Sequence, residues 1–202
     1  IGGGGFVAGL LFFRNFTQVG ATAQTLHPTG TTHFENFNSN WGGDVSFMGA
    51  RMFTRGTTYQ GTSYLEKFGA GSDGSVGGNT FQGTCELRNS GSGFFMMGNG
   101  VADTWVSDLT MNNMGTNLMY LAYASTGNTI GGDLTVNNTG NGADNSIYFT
   151  STVASTLAIT GNVILNNLVT GTGSNIGLPD VGNASIGGTL TGINNGSGAN
   201  SQ

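Results

Sequence analysis

Charged side chains are scarce in this sequence of 202 residues, at 7% of the total. All five basic residues precede position 89, whereas five of the ten acidic residues follow it and have no basic neighbour. Binding to nucleic acid is therefore not expected, because phosphate recognition needs clustered lysine and arginine. The formal net charge of −5 is mild, and we interpret it as an aid to solubility.

Cysteine and proline are also rare, with one Cys and two Pro. A single cysteine excludes an intramolecular disulfide and a cysteine-based metal site. Cys85 falls on an inward position of the repeat described below, so we expect a small buried hydrophobic side chain rather than a reactive thiol. Lysine and glutamate are few as well, which argues against long amphipathic helices.

Long apolar runs are absent. The longest extends from Phe6 to Phe13 and contains Gly9, whereas a spanning helix needs about 20 apolar residues. No membrane span is therefore expected. The sequence does not begin with Met and has no basic leader before that run, so we expect a mature chain or a fragment of a longer one.

What the sequence does contain is an internal repeat, written five times between Asn79 and Asn195. Each copy begins near an apolar anchor, and the anchors lie 24 to 29 residues apart. The anchors are Phe81, Trp105, Ile130, Ile159 and Ile186. Trp41 and Tyr59 begin weaker copies of the same pattern. A period of this length is typical of a solenoid.

Within each copy apolar and polar residues alternate, as in Leu134 and Val136 against Asp133 and Thr135. This alternation predicts a half-buried strand. Clusters of Gly, Asn and Ser separate the strands and predict tight turns. The 38 glycines would also suit a disordered chain, but 37% hydrophobic residues at regular spacing favour a folded one. We therefore predict an all-β protein, a parallel β-helix of about eight coils with weaker N-terminal coils. Residues 1–40 form N-terminal strands or a cap, and residues 41–202 form one continuous solenoid.

Eight residues after each anchor comes an asparagine: Asn89, Asn113, Asn138, Asn167 and Asn194. Because coils stack at about 4.8 Å, these side chains are expected to form a ladder of amide hydrogen bonds between coils. A glycine follows two residues later in four of the five copies, and it predicts a turn after the strand.

Few residues are candidates for a catalytic or metal-binding role. Catalysis on sugars needs converging carboxylates or acids paired with Arg or Lys, and the acids here are spread thinly, so no catalytic residues and no enzyme are expected. Asp108 and Asp133 lie at equivalent places in neighbouring copies. A calcium ion bridging them is one hypothesis; two solvated carboxylates, without metal or other cofactor, are the alternative that we favour.

Three phrases, GNTFQGTCELRNSGSGFFMMGNGVADTW, MYLAYASTGNTIGGDLTVNN and WGGDVSFMGARMFTRGTTY, resemble tandem repeats in very large secreted surface proteins of Bacteroidetes-type bacteria. The resemblance covers roughly Gly30 to Gly196. It implies export to the cell surface, through the type IX route, and a role as an extended stalk or adhesin. It carries no catalytic residues.

The expected function is a structural or adhesive segment of a bacterial extracellular surface fibre, whose partners are neighbouring repeats or surface glycans. One alternative is a filament subunit that stacks head to tail, since open solenoid ends are templates for pairing. Another is a carbohydrate-binding or carbohydrate-cleaving β-helix, in which exposed Tyr120, Tyr123 and Tyr148 stack on sugars. Burial of these rings in the core is the competing interpretation.

Overall fold

The structure is a computed structural model and describes residues 9–142, 145–169, 174–179 and 181–195. Within these ranges it contains 23 strands and no helix. All pairings between the strands are parallel. The all-β prediction is confirmed.

The strands of the first four coils are, in chain order, β1 (Leu10–Arg14), β2 (Gln24–Leu26), β3 (His33–Phe37), β4 (Asn40–Trp41), β5 (Val45–Gly49), β6 (Arg51–Arg55), β7 (Thr58–Tyr59), β8 (Ser63–Lys67), β9 (Asp73–Gly74), β10 (Thr80–Phe81) and β11 (Cys85–Asn89). Those of the last four coils are β12 (Phe95–Met96), β13 (Thr104–Trp105), β14 (Leu109–Asn113), β15 (Met119–Ala122), β16 (Asn128–Ile130), β17 (Leu134–Asn138), β18 (Ile147–Thr150), β19 (Thr156–Ile159), β20 (Val163–Asn167), β21 (Ile176–Gly177), β22 (Asn183–Ile186) and β23 (Leu190–Asn194).

Successive coils contribute one strand each to a set of sheets. Sheet C has eight strands in the order β2-β5-β8-β11-β14-β17-β20-β23, and sheet B has seven, from β4 to β22. The third side consists of sheet A (β1-β3-β6) in the first three coils and sheet D (β9-β12-β15-β18-β21) in the remaining five. Sheet C receives one strand from each of eight turns of the chain, and this confirms the predicted parallel β-helix.

Sheet A gives way to sheet D between β6 and β9. There the backbone N–H of Met52 donates to Oδ2 of Asp73 at 2.6 Å, and the N–H of Thr54 donates to Oγ of Ser75 at 3.1 Å. Side-chain oxygens thus replace the ladder carbonyls that would join the two strands, and the stack of coils continues across the junction.

The N-terminal strands belong to the same stack. β1 pairs with β3 residue for residue, from Leu10 opposite His33 to Arg14 opposite Phe37. The boundary expected between residues 40 and 41 falls inside β4, which pairs with β7 in sheet B.

The repeat anchors form the core because alternation points every second side chain inward. Tyr59, Phe81 and Trp105 are fully buried and stack on one another in three successive coils. Their ring centroids are 4.8 and 5.6 Å apart, with interplanar angles of 3°. Each such stack stabilises the fold by about 0.5–1.5 kcal/mol beyond the area it buries.

The chain bends after the strand at Gly91 and Gly115, as expected, and the glycine also allows neighbouring coils to approach closely. A Cβ on Gly115 would collide with the Gly91 carbonyl oxygen, and one on Gly140 would collide with the Gly115 carbonyl oxygen. None of these three glycines has a positive φ. Gly115 and Gly140 cannot be replaced without strain because consecutive coil backbones touch there, whereas Val169 takes the equivalent place after Asn167. Gly196 lies outside the described residues.

Candidate functional site

The predicted asparagine column is in register. Asn89, Asn113, Asn138, Asn167 and Asn194 lie opposite one another in β11, β14, β17, β20 and β23. The first four are buried, at 0–3% exposure.

The side chains of this column bond between coils, as the predicted ladder requires, and they also bond within each coil. Each buried amide donates to a backbone carbonyl a few residues further along its own coil. The pairs are Asn89 to Gly93 (3.2 Å), Asn113 to Asn117 (2.9 Å), Asn138 to Asn145 (2.7 Å) and Asn167 to Ser174 (3.2 Å). Amide-to-amide bonds join Asn138 to Asn167 at 3.2 Å and Asn167 to Asn194 at 3.5 Å. The column therefore braces the turns of four successive coils. Asn113 Nδ2 also donates to the Ser146 carbonyl of the next coil at 3.4 Å, and the amides form a ladder between coils in the last part of the column.

A second asparagine column forms the more regular ladder. Asn137 Nδ2 donates to Asn112 Oδ1, and Asn166 Nδ2 donates to Asn137 Oδ1, both at 2.8 Å. Asn112 Nδ2 continues the chain to Glu86 Oε1 at 2.7 Å. These side chains lie on the outer, half-exposed face of sheet C. The signal was present in the Asn-Asn doublets of three copies, but the sequence analysis used only the second residue of each doublet.

A third column occupies the corner before sheet B and is buried. Ser39, Thr57, Asn79, Asp103 and Asn128 have exposures of 0–3%. The N–H of Thr57 donates to Asn79 Oδ1 (3.1 Å), that of Asn79 to Asp103 Oδ1 (2.8 Å), and that of Asp103 to Asn128 Oδ1 (2.9 Å). Each side chain thus satisfies the backbone of the preceding coil where the sheet is interrupted.

Asp103 is the acidic member of the buried corner column. Its Oδ1 also accepts a hydrogen bond from Asn79 Nδ2 at 2.8 Å, and its Oδ2 accepts one from the Gly98 N–H at 2.8 Å. Burial nevertheless raises the pKa of this carboxyl group to about 6, because desolvation outweighs the three hydrogen bonds.

Asp108 and Asp133, the hypothetical calcium ligands, also bond from coil to coil. Asp108 Oδ1 accepts from the N–H of Asp133 at 2.8 Å, and Asp133 Oδ1 accepts from the N–H of Asn162 at 2.7 Å. Both side chains are exposed. Among the described residues, no group of three or more His, Cys, Asp or Glu side chains is arranged to hold a metal ion. Both carboxylates therefore join neighbouring coils through backbone hydrogen bonds, and the calcium hypothesis stays a prediction.

Polar residues that sequence analysis left separate meet on the outer face of sheet C. The Tyr64 hydroxyl and the Ser90 hydroxyl both donate short hydrogen bonds to the Glu66 carboxylate. Arg88 Nε lies 3.7 Å from Glu66 Oε2. Burial and the bond to Glu66 raise the pKa of Tyr64 to about 12. Both oxygens of Glu66 accept hydrogen bonds, and the cluster joins neighbouring coils.

Lys67 takes the place of asparagine in the third coil, opposite Asn89. It is fully buried, and its Nζ donates to the carbonyls of Gly69 (2.5 Å) and Gly93 (3.0 Å). Burial lowers the pKa of Lys67, while the charge of nearby Asp73 opposes that shift. Burial raises the pKa of Asp73 to about 6, although Arg51 Nε lies 3.2 Å from its Oδ1.

The three tyrosines proposed for sugar contact, Tyr120, Tyr123 and Tyr148, do come together. We call them the tyrosine patch. Tyr120 lies opposite Tyr148 in the pairing of β15 with β18, with ring centroids 5.7 Å apart and an interplanar angle of 25°. Tyr123 packs edge-on against Tyr120 at 5.1 Å and 74°. All three are half-buried on the outside of the solenoid rather than in its core.

No protein-family model, no curated protein and no solved structure matches the chain. The features described above are therefore interpreted on physical grounds. Within the described residues, no helix has the length and apolarity needed to cross a membrane.

Proposed function

We propose that the chain is a structural or adhesive segment of a bacterial extracellular surface fibre and has no catalytic role. The observation that carries the proposal is the set of hydrogen-bonded polar columns that run from coil to coil beside the parallel sheets. Asn79, Asp103 and Asn128 form one such column, and Asn112, Asn137 and Asn166 form another.

Polar groups used in this way support a mechanical role. Stability of a solenoid comes from contacts between neighbouring coils, and each column adds bonds between the same neighbours. At about 4.8 Å per coil, eight coils make a rod roughly 38 Å long. The resemblance to bacterial surface repeats supports the location at the cell surface.

Electron microscopy of the native material in vitreous ice tests this function. Long fibres with the axial rise of a β-helix are expected, and antibody labelling of intact source cells should place them outside. Discrete short particles, or labelling that appears only after the cells are permeabilised, would contradict the proposal.

A second candidate function is a filament subunit that stacks head to tail. The observation in its favour is an apolar cavity of about 320 Å³ at the last described coil, lined by Leu165, Ile176, Leu178 and Ile193 among others. Leu190 and Ile193 are 48% and 47% exposed there. A coil from a second copy would cover these side chains.

Light scattering after size exclusion at high protein concentration tests the stacking. We expect a series of assemblies in the wild type, and a monomer in Leu190→Lys, because Leu190 lies opposite the buried Val163 and a charge at the end of the apolar interior prevents burial. Thr191→Lys, on the alternate position of the same strand, is the control. A strictly monomeric wild type would rule out the filament subunit.

A further inference from the structure

Two of the five basic side chains are not used to hold the fold together. Arg51 and Arg88 form ion pairs, and the buried Lys67 donates to backbone carbonyls. Arg14 and Arg55 have no carboxylate partner in the part of the chain that the structure describes. Both side chains are exposed, so their guanidinium groups are available to a ligand.

Arg14 and Arg55 line the same cavity, which has a volume of about 270 Å³. Asn15, Phe37 and Asn38 also line it, and we call these five residues the arginine pocket. The pairing of β1, β3 and β6 places Arg14, Phe37 and Arg55 opposite one another in three successive coils. The backbones that carry the two guanidinium groups are therefore about 10 Å apart, two strand spacings, and one ligand can reach both groups.

The guanidinium group of Arg14 has one aromatic contact. Its Cζ lies 4.9 Å from the centroid of the Phe12 ring. Such stacking uses the flat face of the guanidinium group, whereas its N–H donors lie at the edge. The contact therefore orients Arg14 and leaves its donors for an acceptor in the pocket.

The two asparagines occupy the corner that follows sheet A. Among the described residues, Asn15 and Asn38 are the two non-glycine residues with a positive φ, at 52° and 49°. Asparagine adopts this conformation more readily than most residues. Oδ1 of Asn38 would lie 2.5 Å from a Cβ on Gly56, so this side chain extends over the glycine that follows Arg55. The pocket thus combines amides, which donate and accept hydrogen bonds, with two cations.

Acidic residues do not line the pocket. The strands of sheet A contain one acid, Glu35, and it lies opposite Phe12 and Phe53 rather than opposite an arginine. The first eight residues, which precede β1, contain no charged side chain in the sequence. Although the chain as a whole carries a formal charge of −5, the local charge of the pocket favours an anionic ligand.

We propose that the arginine pocket binds the carboxylate or sulfate group of an acidic saccharide. Guanidinium groups donate paired hydrogen bonds to such oxyanions. Phe37 offers apolar surface to the C–H groups of the sugar, and the amides of Asn15 and Asn38 bond to its hydroxyl groups. Pockets for drug-sized ligands measure roughly 300–1,000 Å³, so this slightly smaller cavity suits one sugar unit. The inference rests on the proposed function, since it assigns the ligand class of an adhesive segment.

Calorimetric titration of the purified chain tests the proposal. Hexagalacturonate is the carboxylated ligand and a carrageenan hexasaccharide the sulfated one; cellohexaose is the neutral comparison, and hexaglutamate is the anion without a sugar. We expect saturable binding of at least one acidic saccharide, with NMR shifts of the Nε–H groups of Arg14 and Arg55. Affinity should fall about tenfold in Arg14→Gln and in Arg55→Gln, because each loses one charged donor group.

Two further variants serve as controls. Arg88→Gln removes one positive charge, as the test variants do, but from the outer face of sheet C, and it should bind as wild type does. Arg55→Lys keeps the charge and loses the planar pair of donors, so its affinity should lie between those of wild type and Arg55→Gln. Thermal melts establish that each variant is folded, and the Nε–H shifts in the wild type decide the case where a variant does not fold.

Four results would overturn the proposal: no acidic saccharide binds, hexaglutamate or cellohexaose binds as tightly as the acidic saccharides, the Nε–H groups of Arg14 and Arg55 stay unperturbed, or Arg88→Gln loses as much affinity as the pocket variants. Microscopy of the same preparation separates this inference from the proposed function. Fibres without saccharide binding remove the ligand assignment alone, whereas saccharide binding by discrete particles removes the fibre and keeps the site.

Discussion

The backbone N–H of Asn79 donates to Oδ1 of Asp103, one coil further along, at 2.8 Å. Both residues are buried, at 1% and 0% exposure. An amide of one coil is thus satisfied by a carboxyl group of the next. Because this carboxyl is desolvated, the bond couples the stacking of coils to pH.

Stability should decrease as the pH rises from 4 to 6. In the folded protein burial raises the pKa of Asp73 and of Asp103 from 3.8 to about 6. Between these values the unfolded chain is ionised and the folded one is protonated, so unfolding releases protons and becomes easier at higher pH. Each group contributes up to roughly 3 kcal/mol to this loss. Urea unfolding at pH 4.5 and pH 7.5 measures it.

Asp103→Asn is the variant that isolates the buried carboxyl group. It cannot ionise, so the difference in unfolding free energy between pH 4.5 and pH 7.5 should shrink relative to wild type. Asp108→Asn, which removes an exposed carboxyl group that also bonds to the neighbouring coil, is the matched control. An equal pH response in wild type and Asp103→Asn would show that this group does not titrate with a raised pKa.

The two asparagine columns should differ in their contribution to stability. Replacing Asn113, Asn138 and Asn167 together by Ala leaves buried carbonyls without donors, at a cost of about 1–3 kcal/mol per site, and should lower the Tm sharply. The matched triple replacement of Asn112, Asn137 and Asn166 by Ala removes only half-exposed hydrogen bonds. It should lower the Tm less, because water can bond to the polar groups that remain. Thermal melts compare the two; equal shifts would contradict the structural importance of the inner column.

Because neighbouring coils touch at Gly115, the fold should not tolerate one added methyl group there. Gly115→Ala places a Cβ against the Gly91 carbonyl oxygen, so the coils must separate locally and break ladder bonds. We expect a loss of at least about 2 kcal/mol, comparable to overpacking of a core. Gly192→Ala is the control, since nothing lies within 4 Å of its added Cβ. Urea midpoints that match for the two variants would refute the steric interpretation.

Cys85 should be chemically silent in the folded protein. It is 3% exposed, and burial raises the pKa of its thiol, so both access and thiolate formation are suppressed. Labelling with a disulfide reagent should proceed only as fast as the chain unfolds, and should become immediate in urea. Rapid labelling under native conditions would show that the interior between sheets B and C opens locally.

Much of the architecture follows from sequence alone. The anchors Phe81 and Trp105 predict buried positions in successive coils, and the structure stacks them at 5.6 Å. This inference succeeds because inward and outward positions alternate by backbone geometry, whatever the partner. The asparagine column was likewise found at the predicted positions, since equal offsets from the anchor bring equivalent residues into register.

Side-chain partners were harder to infer. The amide of Asn113 was assigned to the neighbouring asparagine of the next coil, yet it bonds to the carbonyls of Asn117 in its own coil and of Ser146 in the next. Glu66 belongs to the copy that begins at Tyr59, whereas Arg88 and Ser90 belong to the next copy, and only the structure brings the three side chains together on one face. A sequence pattern specifies the face on which a side chain lies, whereas a hydrogen bond depends on the direction in which its last atoms point.

The sequence by itself determined the alternation, the period and the eightfold stacking of this protein, because hydrophobic burial depends on which face a residue occupies and requires no particular partner. Only the tertiary structure decided which polar atoms join the coils, that Asp103 is buried beside Asn79, and that Tyr120 and Tyr148 form one surface. The intervals between copies vary, so the polar neighbours of each residue are set by how the chain closes every coil, and hydrogen bonds are directional enough to depend on that closure.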